Sequence, residues 1–495
     1  MQRNAPLVAL LPSGLTDALR WRGLATIVAT ALLAFVFALI IVVWPLPGMV
    51  VPFALASLVL VVRRPEWMML AFFVSLAIPI QRSIAGLPLN ASDGLLVAWC
   101  GLWPLMMARK GAPLLARWRM PSLVLFIAPF IVATIVSQFG SINSAASLKQ
   151  LLRIVEWFVM LPLALTVLLP DARFRKFAGL MLILVPCIFA IDGLYEYLNN
   201  GQTLTGLIGI SVPIPEGSTA QIRHTFDISG RAGSSFGGAQ GLAMYLAMTM
   251  GFAIAHLIYA EERWIKQLAL LCLIISLVGL GVAQSRGGFI GAVAMMLTML
   301  LTIVPKLRMP VFLLLGVAVA IAFAVLGVFP YWDGTLAGLV PGRPEAVLDR
   351  LIIWGVVRDV FFEHPFFGVG LGNFRDAFFA QQQWLHVDLA YPSLHAHNTY
   401  LELLADTGGV GLLAYLSFLA LAVRRLLRIW AAGGRPILTL AALGSLAAYA
   451  VFAMVDMLLL QNMHFLLVLV LSIGMNEGQS PVVGAPPTRE GQPTP

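Results

Sequence analysis

Apolar runs long enough, or nearly long enough, to cross a bilayer follow one another along most of the chain, separated by short polar corners. A helix needs about 20 apolar residues to span hydrocarbon. Runs of this kind fall at roughly 23–44, 47–62, 67–80, 95–107, 122–139, 154–169, 177–198, 238–259, 267–284, 287–304, 311–328, 407–423, 436–455 and 459–475. The pattern predicts an all-α, polytopic membrane protein with about 12–14 transmembrane helices. The runs at 67–80 and 95–107 are short and read as tilted, re-entrant or merged with their neighbours.

Composition agrees. Of 495 residues, 60% are hydrophobic and 11% charged, whereas soluble domains carry about a quarter charged residues. So little charge could not cover the surface of a soluble protein of this length. Cys100, Cys187 and Cys272 all fall inside apolar runs, which argues against a disulfide framework or a cysteine metal site. The first run follows Arg20 and Arg22 and is too long for a cleavable signal, so it reads as an uncleaved signal anchor. Residues 476–495 are polar and rich in Pro and Gly and read as a disordered tail.

The net charge of +8 is no nucleic-acid footprint, because the basic residues sit in short loops between spans, where they set orientation. With the N-terminus, 1–22, in the cytoplasm, about 21 of the 31 Lys and Arg residues fall on the inner side. An even span count then returns the C-terminus to the same side. This orientation places 140–153, the loop 199–237, the corner Gln-Ser-Arg-Gly-Gly at 284–288 and the long segment 329–406 outside. A connection of nearly eighty residues is usually functional. Here it contains one helical stretch closed by Pro365, then the glycine-rich turn Phe-Phe-Gly-Val-Gly-Leu-Gly-Asn-Phe.

Several polar groups on that outer side carry possible chemistry. Arg286 sits beside Gly287 and Gly288 at a sharp corner, on the side that basic residues avoid. It reads as a grip for an anion such as a phosphate, or as a snorkelling anchor. Arg350, Trp354 and Arg358 recur every four residues and line one helical stripe; a helix lying at the interface would show the same pattern, and Asp349 and Asp359 are at hand to neutralise the arginines. Arg231 lies among Gly and Ser residues that can form an anion-holding nest, or is a surface arginine. Lys149 and Arg153 begin another amphipathic stretch, where Arg153 and Glu156 are spaced to pair. His395 and His397 close the long segment, just ahead of an apolar run. An imidazole can take a proton from a hydroxyl near neutral pH, and Glu402 is close enough in sequence to orient the ring. The His-x-His pair could hold zinc, but no further ligand spacing supports a metal, and no Asp-x-Asp pair is present for a divalent ion. Arginines for an anion and a histidine for a hydroxyl suit transfer onto an alcohol from a phosphate-activated, lipid-embedded donor.

His397-Asn398-Thr399-Tyr400-Leu401, six residues and Gly408 match a histidine motif of the O-antigen ligase and polymerase superfamily, of the form His-[Asn/Ser/Gln]-x-x-Leu-x6-Gly. The stretch from Arg350 to Phe374 and the corner at 284–288 resemble two further motifs of that family, in the same order. The resemblance is sharpest over about 231–415; one departure is Gly-Gly-Ala-Gln-Gly at 237–241, where members carry Pro-Asn. The resemblance implies a GT-C-like membrane fold across 23–475 and an inverting, metal-independent glycosyltransferase that needs no cofactor. It implies His397 as the catalytic base and Arg286 and Arg350 as diphosphate-binding groups, with Arg231 a further candidate and Asn398, Glu402, Trp354 and His395 in support. The implied donor is an undecaprenyl-diphosphate-linked glycan, the acceptor a glycan or the lipid A core, and the place the bacterial cytoplasmic membrane beside other polysaccharide assembly proteins. A ligase joins a finished glycan to lipid A core; a polymerase joins lipid-linked repeats. Both are compatible with the motifs, and the histidine motif favours the ligase. A protein O-glycosyltransferase would share the chemistry. A transporter would instead place charge at mid-membrane, for which only Glu156, Asp192 and Asp456 offer themselves.

Overall fold

Small side chains decide which helix lies at the centre. The computed structural model describes residues 71, 72, 75, 81–84, 87–90, 92–97, 99–100, 120–166, 168–204, 230–236, 238–311, 345–385, 395–434, 436–456 and 463–477. Among these, the helices are α1 (Ser122–Ser137), α2 (Ser144–Val155), α3 (Ala172–Leu198), α4 (Ala239–Tyr259), α5 (Arg263–Ala283), α6 (Arg286–Ile303), α7 (Glu345–Glu363), α8 (Phe374–Leu385), α9 (Thr399–Ala431), α10 (Ile437–Phe452) and α11 (Met463–Asn476). A short antiparallel hairpin, Gln81–Ile84 with Leu87–Asn90, is the strand structure among the described residues. The protein is an all-α, multi-pass membrane protein. Six of its described helices are long and apolar enough to cross a bilayer, namely α3, α4, α5, α6, α9 and α1 with its terminal turn. The expected spans 23–44, 47–62 and 311–328, the termini and much of the two long loops lie outside the described residues, as does most of 67–80 and 95–107.

Alanine, glycine and methionine recur all round α4. Its apolar window is 83% buried, against 33% for α5, α6 and α9, so α4 is the hub and those three face lipid. In hydrocarbon, helices associate by close packing rather than by hydrophobic drive. Gly251 of α4 accordingly abuts the Ala441 carbonyl of α10, and Gly291 of α6 abuts the Ala448 carbonyl, each at 3.4 Å from where a Cβ would sit. Buried hydroxyls find partners across helices: Ser445 Oγ donates to the Met248 carbonyl at 2.5 Å, and Tyr415 Oη, Tyr449 Oη and His464 Nε2 form a chain at 2.6 and 2.8 Å. The His464 ring stacks on Trp157 at 5.1 Å.

Several element boundaries differ from the sequence pattern. The run at 154–169 belongs to a longer helix that starts at Ser144, passes through a π-helical turn at Glu156–Met160 and ends at Leu165. The Arg153–Glu156 pair is present at 3.2 Å, and Arg153 also pairs with Asp93. Helix α9 begins at Thr399, eight residues ahead of the apolar run, because its first two turns are buried against protein. It breaks at Gly408, whose φ of 65° and ψ of −171° are not helical.

That break exposes backbone groups, and the glycine-rich turn satisfies them. Gly409 N and Val410 N donate to the carbonyls of Pro365 and Phe366 at 2.8 and 3.2 Å. Val369 N and Gly370 N donate to the carbonyls of Ala405 and Asp406 at 3.1 and 2.9 Å. The Asp406 carboxylate, fully buried, accepts from Gly372 N (2.7 Å) and Phe374 N (2.8 Å) at the start of α8. From the other side α2 clamps the same turn: Ser147 Oγ donates to the Leu371 carbonyl at 2.9 Å, and Ile142 N to that of Val369 at 3.1 Å. Helices α7 and α8 then pack over the N-terminal end of α9 through Ile353, Val356, Val360, Phe374 and Phe378 against Ala396 and Ala405.

The two ends of the bundle differ in charge. One end gathers Arg173, Arg175, Lys176, Arg263, Lys266, Lys306, Arg308, Arg424, Arg425 and Arg428, with Lys176 paired to Glu262 at 2.6 Å. The other end carries the Ser-Arg-Gly corner, the N-terminus of α9, and helices α7 and α8.

Two substitutions test the joint. Asp406→Ala strands the N–H groups of Gly372 and Phe374, one part-buried and one buried, and should cost about 2–5 kcal/mol. Gly408→Ala drives a Cβ into the Phe366 carbonyl from a left-handed backbone and should cost about 3 kcal/mol or more. Thermal unfolding of the purified protein in nanodiscs reads both. A melting temperature unchanged in either variant contradicts the account of the break.

Candidate functional site

The site begins with a three-residue loop and a helix cap. Asn398 caps α9: its Oδ1 accepts from Tyr400 N and Leu401 N at 3.0 and 3.1 Å. Glu402, one turn in, reaches back past the cap and accepts from Ala396 N at 2.8 Å. The carbonyl of the same Ala396 accepts from Trp354 Nε1 of α7 at 3.0 Å. Ala396 is therefore held from both sides, and the two histidines flank it. Their rings lie 4.6 Å apart at 52°.

The end of α10 is stitched to this loop. Thr399 N donates to the Ala453 carbonyl at 2.8 Å, Asn398 Nδ2 to Met454 at 3.0 Å, and Thr399 Oγ1 to the Asp456 carbonyl at 2.9 Å. His397 adopts a left-handed backbone, φ 50°, a conformation uncommon outside glycine and found where the surroundings enforce it. The result places His397 Nδ1 3.6 Å from Asp456 Oδ1, with the histidine side chain 33% exposed and the aspartate 10%. His395 is the more buried ring. Burial, with His397 beside it, pushes its pKa down to about 4 against the opposing pull of Asp456, so it is neutral at neutral pH.

The sequence pointed to Glu402 as the carboxylate that orients the ring. In the structure Glu402 shapes the loop through its backbone, and the carboxylate against His397 is Asp456. Fifty-nine positions separate His397 from Asp456, and the aspartate reads in sequence as one more acid at the end of an apolar run. Asp456 also supplies the third potential metal ligand that local spacing did not show: ligand atoms of His395, His397 and Asp456 all lie within 4.8 Å of one another.

Arg286 is the first residue of α6. Ser285 caps that helix, its Oγ accepting from Gly288 N at 3.3 Å, after a left-handed turn at Gln284 (φ 46°). The corner abuts the stitched turn: a Cβ on Gly287 would meet Val455 at 2.9 Å and Phe452 at 3.1 Å. Arg286 is exposed beside it. Arg231 comes to the same corner, because Ala232 N donates to the Val282 carbonyl at 3.1 Å. The nest around Arg231 is filled from within: Gly233 N and Ser234 N donate to Glu196 Oε2 at 2.8 and 2.6 Å, and Ser234 Oγ to Asp192 Oδ2 at 2.5 Å. Arg350 is half-buried one turn before Trp354, whose indole touches the histidine loop. Arg358, at the far end of that stripe, is exposed and pairs with Asp359 at 2.7 Å.

The structure thus draws the Arg286 corner, the Arg231 segment, the Arg350 helix and the histidine loop to one end of the bundle. The three acids that a transporter would need have internal partners: Glu156 holds Arg153, Asp192 holds Ser234, and Asp456 faces His397.

No curated protein sequence matches the chain. Residues 268–416 match a family model described as O-antigen ligase. The matched stretch holds Arg286, Arg350, Trp354 and the whole histidine motif to Gly408, and leaves Arg231 and Asp456 outside. On that match, with three motifs in order and the sites they mark drawn to one end of a helical bundle, the chain carries a domain of the O-antigen ligase and polymerase superfamily.

Proposed function

We propose that the protein is an inverting, metal-independent glycosyltransferase. It moves a glycan from an undecaprenyl-diphosphate-linked donor to an acceptor hydroxyl at the periplasmic face of the bacterial cytoplasmic membrane. The observation that carries the reading is the His397–Asp456 pair at the end of the bundle that also holds Arg286 and Arg350. The lysine and arginine bias supports placing the opposite end, and both termini, in the cytoplasm.

The chemistry follows from the geometry. Asp456 faces Nδ1 of His397 and favours a proton there, which leaves Nε2 with a lone pair for the acceptor hydroxyl. The hydroxyl oxygen attacks the anomeric carbon from the face opposite the diphosphate. Its proton passes to Nε2, the bond from the anomeric carbon to the diphosphate oxygen breaks, and the lipid diphosphate leaves with the electron pair. Asp456 stabilises the imidazolium that forms. Arg286 and Arg350 offset the charge growing on the diphosphate, the part that a divalent ion plays in other diphosphate chemistry. Arg231 lies close enough to that corner to add to the donor's grip.

The histidine motif leans the reading towards a ligase with lipid A core as acceptor. A polymerase would run the same step on a second lipid-linked glycan, so the two readings separate on the acceptor consumed.

Orientation is checked by single cysteines in a background lacking the three native ones. An impermeant thiol reagent should label Glu363→Cys in cells with a permeabilised outer membrane, and Lys306→Cys only after the inner membrane is opened. The reverse pattern overturns the topology.

Catalysis is checked by transfer from a radiolabelled lipid-diphosphate donor in nanodiscs, beside donor binding. His397→Ala should lower transfer about 10²–10⁴-fold with donor binding largely kept, and His395→Ala should be milder. Asp456→Asn should fall between them with the donor KM unchanged. Arg286→Ala and Arg350→Ala should weaken donor binding and slow the step, and lysine should rescue only partly, because a point charge lacks the guanidinium fork. The wild-type rate should survive EDTA. Full activity in His397→Ala, or a rate lost in EDTA and restored by Mg²⁺, rejects the mechanism.

A further inference from the structure

We infer that His395, His397 and Asp456 form a binding site for a borderline transition-metal dication of the zinc type, and that occupancy switches the enzyme off. The inhibitory half of this inference rests on the proposed role of His397 as base; the metal site itself does not.

Three observations carry it. The first is geometry: one ligand atom from each side chain lies within 4.8 Å of the other two, and the His397 Nδ1–Asp456 Oδ1 distance is 3.6 Å. Ligand atoms about 2.0–2.2 Å from a tetrahedral zinc sit about 3.3–3.6 Å apart, so that pair is already at chelating distance and His395 needs only a small ring movement. The second is preorganisation. The backbone between the histidines is fixed through Ala396 by Glu402 and Trp354. Asp456 is fixed by Thr399 Oγ1 on its carbonyl and by its own N–H on Phe452. The donors therefore sit on two segments that are stitched together before any ion arrives. The third is access: His397 is a third exposed, so an ion can reach the donors from solvent and keep water in its fourth position.

The donor set selects the ion. Two imidazoles and one carboxylate suit zinc, and also cobalt, nickel and copper, whereas magnesium and calcium want oxygen ligands. A metal held here takes the lone pair of His397 Nδ1 together with the Asp456 carboxylate. The one proton of the neutral ring then sits on Nε2, which can no longer accept the acceptor's proton.

The test uses the full chain in nanodiscs, stripped with EDTA. Isothermal titration with ZnCl₂ should show one site of micromolar affinity or tighter, and MgCl₂ should show no binding there. His395→Gln and Asp456→Asn should each weaken zinc at least tenfold, and zinc should raise the melting temperature of the wild type alone. Should either variant fail to fold, Co²⁺ added to the wild type gives an independent reading: strong d–d absorption of a tetrahedral site, abolished by one equivalent of zinc. Transfer should stop at saturating zinc and return with EDTA. Zinc binding unchanged in both variants, or no tetrahedral cobalt spectrum, overturns the site. Transfer that rises with zinc overturns the inhibitory role and metal independence together. Zinc bound at these residues in a protein that transfers nothing under any metal condition upholds the site and overturns the proposed function.

Discussion

A buried backbone group without a partner is expensive, and the break in α9 at Gly408 is where that constraint shapes everything around it. The interrupted helix leaves buried N–H and carbonyl groups that need partners from elsewhere in the chain. Residues 365–374 satisfy them, strand-like, on both sides of the break. Once that turn is fixed, α7 on one side of it and α8 on the other have few places to go. Their shared apolar faces fold down over the start of α9, and Trp354 arrives at the Ala396 carbonyl. The glycine-rich turn resembles a phosphate cradle in sequence, but the Asp406 carboxylate occupies its amides. Its glycines serve close backbone approach: Gly368, Gly370 and Gly372 all have positive φ, and a Cβ at Gly368 would strike the Ala405 and Asp406 backbone.

The same logic recurs at Arg231. Gly-Ser stretches beside an arginine look like anion nests because successive amides point one way. Here two of those amides close on Glu196. A carboxylate from the neighbouring helix does in the folded chain what a ligand would do in an open nest, and it tethers the loop to α3. What remains available for a diphosphate is side-chain charge rather than backbone amides, which is why Arg286 and Arg350 carry the donor side of the proposed chemistry.

The sequence was most legible where physics is periodic or local. Span-length apolar runs marked α1, α3–α6, α9 and α10 to within a few residues at most ends, because lipid permits little else. The four-residue recurrence of Arg350 and Trp354 located α7, read as a helix at the interface; that Trp354 meets the histidine loop is a contact that only the fold shows. The motif from His397 to Gly408 is local as well: a cap, a buried turn and a break within twelve residues. What the sequence could not show are contacts made by distant chain. Asp456 looks like a stray acid until α10 is laid beside α9. Asp406 sits inside the motif but finds its partners more than thirty residues upstream. The start of α9 at Thr399 was hidden because its first turns are buried by α7 and α10 rather than by lipid, so their polar residues did not read as helix.

Rigidity at this end of the bundle has a consequence for the chemistry. The His397 ring is not placed by its own rotamer alone. A left-handed backbone turns it, a cap residue anchors the next position to α10, and two bonds to Ala396 fix the position before. If His397 serves as the proposed base, a ring held this way loses little freedom when an acceptor binds, and orientation fixed in advance lowers the entropic share of the barrier. Arg286, proposed to meet the donor's diphosphate, projects from the first turn of α6. In the proposed reaction the attacking hydroxyl must arrive along one line, and a ring fixed in advance sets that line before the diphosphate is drawn to the anomeric carbon's far side.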